Sequence, residues 1–191
     1  DATDLSATPT KLTPVDGVGN DHFGHSVAAT ADKIVVSSHG DDDNGLNSGS
    51  VYVYDANNLS ATPTKLTAFD GTQHDSFGQS VAATADNIVV GAPNDNEGSA
   101  YVYDATDLSA QPTKLTAYDG AMYDTFGHSV AATADNIVVG AWGDDSFTGS
   151  AYVYDANDLS ATPTKLTAFD GANNDNFGRT VAAFDDKIIV G

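Results

Sequence analysis

The chain repeats itself about every 50 residues, and nothing else in it narrows the possible folds so far. Phe-Gly recurs at Phe23-Gly24, Phe77-Gly78, Phe126-Gly127 and Phe177-Gly178, with spacings of 54, 49 and 51 residues. The text around each pair is nearly constant: Asp75-Ser76-Phe77-Gly78-Gln79-Ser80-Val81 parallels Asp124-Thr125-Phe126-Gly127-His128-Ser129-Val130. A repeat of this length is one supersecondary unit, which buries its apolar face against the next copy.

Each unit reads as four short strands, here a to d. In the second unit strand a spans 77–84, and a tight Ala85-Asp86-Asn87 connection leads to strand b at 88–92. Strand b is apolar on both faces, as an interior strand is. Strand c spans 99–103, a loop covers 104–112, and strand d spans 113–117. Lys11, Lys65, Lys114 and Lys165 share one position in strand d, where lysine on an outer edge blocks sheet-to-sheet aggregation; a salt bridge to the nearby aspartates is the other role open to it. Four strands per unit of about 50 residues is the pattern of propeller blades; a β-solenoid is the rival. The expected fold is therefore all-β: a β-propeller of four-stranded antiparallel blades. Its expected parts are an outer strand in 1–17, blades at 18–71, 72–120 and 121–171, and a partial blade at 172–191. That makes fifteen strands, read as a segment of a larger propeller or repeat array.

Residues 65–93 carry Lys-Leu-Thr-Ala-Phe-Asp-Gly, then Asp-Ser-Phe-Gly-Gln-Ser-Val-Ala, then Asn-Ile-Val-Val-Gly-Ala-Pro. This combination resembles the FG-GAP repeats, with weaker copies of the last element at Ser37-Ser38-His39 and Gly140-Ala141-Trp142. The resemblance is to the bacterial type, distant from integrin α-subunit headpieces. It implies an extracellular propeller used in adhesion and recognition. Integrin-type repeats carry a calcium loop between strands a and b. Here that connection is only Thr84-Ala85-Asp86-Asn87, too short for the oxygens calcium takes.

Charge sets limits on partners. The 191 residues include 27 acids and 7 bases, a net −20, and all the acids but Glu97 are aspartates. Aspartate favours turns and caps over helix interiors. The balance excludes a nucleic-acid binder, which needs a basic footprint. Self-repulsion at this charge is relieved by salt, so a saline habitat and a higher melting temperature in molar salt are expected. Without cysteine there is neither a disulfide nor a thiolate site. No apolar run approaches the roughly 18 residues of a membrane span, so no membrane insertion is expected. Common catalytic motifs are missing, and the chain reads as non-enzymatic.

Several residues are candidate sites. His25, Gln79, His128 and Arg179 follow the four Phe-Gly pairs. On a propeller they converge at one mouth of the channel, where they either bind an anion or sugar or merely solvate the wall. Trp142, in a b–c loop, reads either as a sugar platform or partner anchor, or as packing. Asp41, Asp42, Asp43, Asp144 and Asp145 cluster in b–c loops, as solvated turns or a weak calcium site; no other cofactor is expected. His22, His39 and His74 read as exposed. Asp21, Asp75, Asp124 and Asp175 precede each Phe-Gly, and Asp16, Asp70, Asp119 and Asp170 stand five residues earlier. Every unit carries both sets, so they read as structural, the earlier set capping amides and tying blade to blade.

The expected function is a structural or adhesive module at the cell surface or outside the cell, with a protein or glycan partner or self-association. A glycan- or calcium-binding module, and a filament subunit assembled by strand addition, are the alternatives.

Overall fold

The computed structural model describes residue 6 and residues 8–191. It contains three complete four-stranded antiparallel meanders and one hairpin. The first is β1 (Val27–Ala29), β2 (Lys33–Ser38), β3 (Ser50–Asp55) and β4 (Thr64–Leu66). The second is β5 (Ser80–Ala83), β6 (Asn87–Ala92), β7 (Ser99–Asp104) and β8 (Thr113–Leu115). The third is β9 (Ser129–Ala132), β10 (Asn136–Ala141), β11 (Ser150–Asp155) and β12 (Thr164–Leu166). The hairpin is β13 (Val181–Phe184) and β14 (Lys187–Val190). Inner strands β1, β5, β9 and β13 pack in succession, which fans the sheets like adjacent blades.

The expected strand at Lys11 is not formed: residues 8–17 contain no strand, and the described residues carry fourteen strands. Strand d pairs with strand c of its own blade, as β4 does with β3, and among the described residues no such partner pairs with 8–17; residues 1–5 and 7 of that expected strand lie outside the described residues. Strand a is also shorter than expected, because the Phe-Gly pair sits in a turn before it.

The core lies between blades. Ile88 and Val90 of β6 pack with Val35, Val51 and Val53 of the first blade. Val89, between them in sequence, packs with Phe126, Ile137 and Val139 of the third. That alternation explains why strand b is apolar throughout. Phe77 and Phe126 are fully buried, each edge-on to two tyrosines of its own blade's strand c.

Two glycines per repeat set the blade spacing. Gly127 has φ +92°, and a Cβ there would lie 2.1 Å from the Ser99 carbonyl oxygen. A Cβ on Gly91 would lie 1.9 Å from the Gly127 carbonyl oxygen. Backbone meets backbone at both positions, so only glycine fits. The first blade carries Ser37 at the position of Gly91, and its Cβ faces Gly78 of the next blade.

Asp55, Asp104 and Asp155 accept the amide two residues on, closing the c–d loops. Thr30, Thr84 and Thr133 accept the amide three residues on, closing the a–b turns. Both turn types fall at one end of every sheet. The b–c loops and the connections between blades fall at the other, here termed the upper face.

Candidate functional site

At the upper end of each complete blade one lysine, one tyrosine and at least two aspartates meet. Lys65 Nζ lies 2.9 Å from Asp16, 2.9 Å from Asp41 and 2.6 Å from Asp43. Lys114 Nζ lies 2.6 Å from Asp70 and 2.7 Å from Asp95. Lys165 Nζ lies 2.7 Å from Asp119 and 2.6 Å from Asp144. In the second blade the Tyr101 hydroxyl sits 2.7 Å from Asp70 and 2.8 Å from Asp95, with one proton to share between them. Tyr52 and Tyr152 repeat this arrangement. Each ammonium also stands over its tyrosine ring, 5.3–5.4 Å from the centroid.

The strand-d lysines therefore do not guard an outer edge: Lys65, Lys114 and Lys165 fold back, half-buried, into carboxylate nests. Asp16, Asp70 and Asp119 tie blade to blade as expected, but through lysine and tyrosine rather than through amides. Amide capping falls to the other set. Asp21, Asp75, Asp124 and Asp175 accept the backbone N–H of Val18, Thr72, Ala121 and Ala172. A second tyrosine of strand c adds a latch. Tyr54, Tyr103 and Tyr154 donate to the carbonyls of Thr13, Thr67 and Thr116 in the preceding segment.

The electrostatics of these nodes move groups away from neutrality. Burial pulls each lysine down, but hydrogen bonds to the carboxylates outweigh it and raise Lys65, Lys114 and Lys165 above the ordinary value. Burial, then the adjacent carboxylates, raise Tyr101 and Tyr152. Hydrogen bonds from Lys65 and then Tyr52 hold Asp16 low. For Asp70 and Asp119, burial would raise the carboxyl, but the same kinds of bond overcome it. A general acid or base needs a pKa near the working pH, and these groups are tuned the opposite way.

The metal candidates divide. Asp41 and Asp144 are buried and face a lysine ammonium, so the cation they hold is the protein's own. Asp43 joins Lys65; Asp42 accepts the Asn47 amide; Asp145 stands 4.0 Å from Lys165 and is largely exposed. Among the described residues, no group of three His, Cys, Asp or Glu side chains is placed to hold a metal ion.

Three of the four residues after Phe-Gly fall in two clusters. His25 meets His39 edge-on at 4.2 Å, and His22 stacks on His39 at 4.9 Å. His39 is thus half-buried rather than exposed, and burial, then His25 and His22, push its pKa down to about 4. His128 and Arg179 converge on Trp142, whose ring lies 5.8 Å from the imidazole and 5.6 Å from the guanidinium carbon. Burial, then Arg179 and then His25, lower His128. Trp142 also packs on Phe147 at 5.5 Å, so it lies inside a cluster rather than standing free. Gln79 is half-buried and joins neither group; His74 is exposed. His39, Pro93 and Trp142 occupy one position in three blades, a signal legible in the sequence once the repeats are aligned.

Fanned four-stranded blades, latched by repeat-wide residues and differing in their upper loops, define a propeller repeat module. The FG-GAP repeat model matches residues 8–54, 62–103, 110–154 and 162–191. The chain belongs to the FG-GAP repeat family. No curated protein matches it significantly. Among solved structures, 74 chains match, including the computationally designed Ika4 protein. That likeness has 16% identity and a TM-score of 0.57, covers 96% of this chain and 92% of the other, and bears on the fold alone. No helix among the described residues is long and apolar enough to cross a membrane.

Proposed function

We propose that this chain is a non-enzymatic adhesive module of an exported, cell-surface or extracellular protein, which contacts a protein or glycan partner through its upper face. One observation carries the reading. Residues common to all complete blades are consumed in latches and turns, whereas the side chains that differ between blades gather on the upper loops. A scaffold that holds variable loops on a rigid sheet end is suited to recognition. Lysine already neutralises the inner aspartates, which leaves calcium a minor part in this reading.

The test is an adhesion assay with the chain coated on beads. Replacing His25, Gln79, His128 and Arg179 by alanine should abolish attachment, while alanine at Asn57, Thr106 and Asn157 on the lower face should not. Equal effects from both sets would contradict the proposal. Assembly into a filament by strand addition is the second reading. Sedimentation that stays monomeric at high concentration would count against it.

A further inference from the structure

The upper face of the third blade carries a surface cleft. A cleft of 470 Å³ opens between the connection entering the blade and its b–c loop, lined by Met122, Tyr123, Asp124, Asp145, Ser146 and Phe147. The size is in the range of small-molecule sites. Tyr123 is 73% exposed and Met122 69% exposed, unusual for large apolar side chains with an adjacent cavity. The second blade carries the polar Gln73-His74 where the third carries Met122-Tyr123.

The backbone beneath these side chains is strained. Asp145, Ser146 and Phe147 are consecutive left-handed residues, with φ +49°, +61° and +65°. Tyr123 is also left-handed, with φ +76°, as are its equivalents Asn20, His74 and Asn174, but it alone places a phenol ring there. Such conformations are strained for residues other than glycine and persist where their surroundings fix them. Here Phe147 is fixed by packing on Trp142, and Trp142 in turn by His128 and Arg179.

Charge decides what could enter. Asp119 and Asp144 line the floor, but Lys165 Nζ already lies within 2.7 Å of both. An incoming cation would meet that ammonium, with only Asp124, which already accepts the Ala121 amide, and the exposed Asp145 left as counter-charges. An incoming anion would meet Asp124 and Asp145 on a chain of net charge −20. A neutral polyol suits the remaining chemistry. Its C–H face packs on Tyr123 and Phe147, and its hydroxyls donate to Asp124 and Asp145 and exchange hydrogen bonds with Ser146.

We propose that this cleft binds a pyranose ring of a neutral glycan, with Tyr123 and Phe147 as the stacking surfaces and Asp124 and Asp145 as the hydroxyl acceptors. The inference rests on the upper face being the recognition surface, and names its ligand class.

The full chain is titrated with neutral gluco-, manno- and galacto-configured oligosaccharides, with oligogalacturonate and with oligolysine, by calorimetry. The expected result is saturable binding of at least one neutral series and of neither charged probe. Tyr123→Gly removes the ring and relieves the left-handed strain, so affinity should fall at least tenfold while the melting temperature holds or rises. Asp145→Asn should weaken binding less, and His74→Ala on the second blade should leave it unchanged. Binding of oligolysine alone, no binding of any neutral series, or unchanged affinity in Tyr123→Gly would each overturn the proposal. If beads still attach through the upper face but no neutral saccharide competes, the ligand class falls and the adhesive reading stands. If upper-face substitutions leave attachment intact, the adhesive reading itself falls.

Discussion

Two stretches of this molecule carry almost the same sequence and end in different physical states. Leu66-Thr67-Ala68-Phe69-Asp70-Gly71 is followed by a complete blade, and Leu166-Thr167-Ala168-Phe169-Asp170-Gly171 by a hairpin. Phe69 meets Tyr101 edge-on at 5.9 Å; Phe169 is fully exposed. Asp70 holds Lys114 and Tyr101; Asp170 has neither a lysine nor a tyrosine partner among the described residues. Phe126 is fully buried against two tyrosines, whereas Phe177 is half-buried with no ring partner among the described residues. Identical side chains therefore become latches only when the strand c of the following unit arrives to receive them. The stability of a repeat resides largely in its interface with the next.

This contrast can be broken at several points. Phe126→Ala should cost about 3–5 kcal/mol, as for a fully buried aromatic, and Phe177→Ala no more than about 1.5 kcal/mol, because less area leaves the core. Urea unfolding measures both; equal costs would erase the distinction. Lys114→Met leaves Asp70 and Asp95 facing each other without their cation. It should cost about 2 kcal/mol, between the exposed and buried cases. Lys187→Met, on the exposed hairpin, should cost almost nothing.

A smaller effect separates the first blade from the second through pH. The His39 pKa is depressed to about 4 in the folded chain, from an ordinary 6.5. Its contribution is complete above pH 6.5 and is lost as pH falls towards 4. Allowing for solvent screening of a half-exposed ring, that loss is about 1 kcal/mol. The second blade has Pro93 there, which does not titrate. Melting curves from pH 7 to 4 should therefore flatten in His39→Phe; an unchanged slope would remove the histidine cluster from the account.

Much of this organisation was legible in the sequence because it depends on period and pattern. The Phe-Gly register located the units, the double-sided apolarity of strand b announced an interior strand, and Asp-Gly and Thr-Ala-Asp marked turns. What stayed hidden depends on distance. Lys65 meets Asp16 across 49 residues, and spacing alone favours an edge guard and does not say which aspartates the lysine would pair with. The paired tyrosines of strand c recur in every complete unit, yet only the fold shows that both reach back to the preceding segment. Lys11 has the right neighbours in sequence, yet residues 8–17 form no strand. The three histidines of the first blade come from two loops, His22 and His25 from the turn before β1 and His39 from the b–c loop, so no single local motif announces the cluster.

The central claim is that the Asp-Gly aspartate becomes a latch only through the strand c that follows it. Asp70→Asn and Asp170→Asn make the same chemical change in the same local sequence, and chemical denaturation can compare them. The account predicts that Asp70→Asn lowers stability by about 1.5 kcal/mol, the scale of a lost charge-assisted hydrogen bond. It predicts that Asp170→Asn stays within about 0.5 kcal/mol of the parent, as an exposed substitution does. Equal losses at the two positions, or a neutral Asp70→Asn, would contradict it.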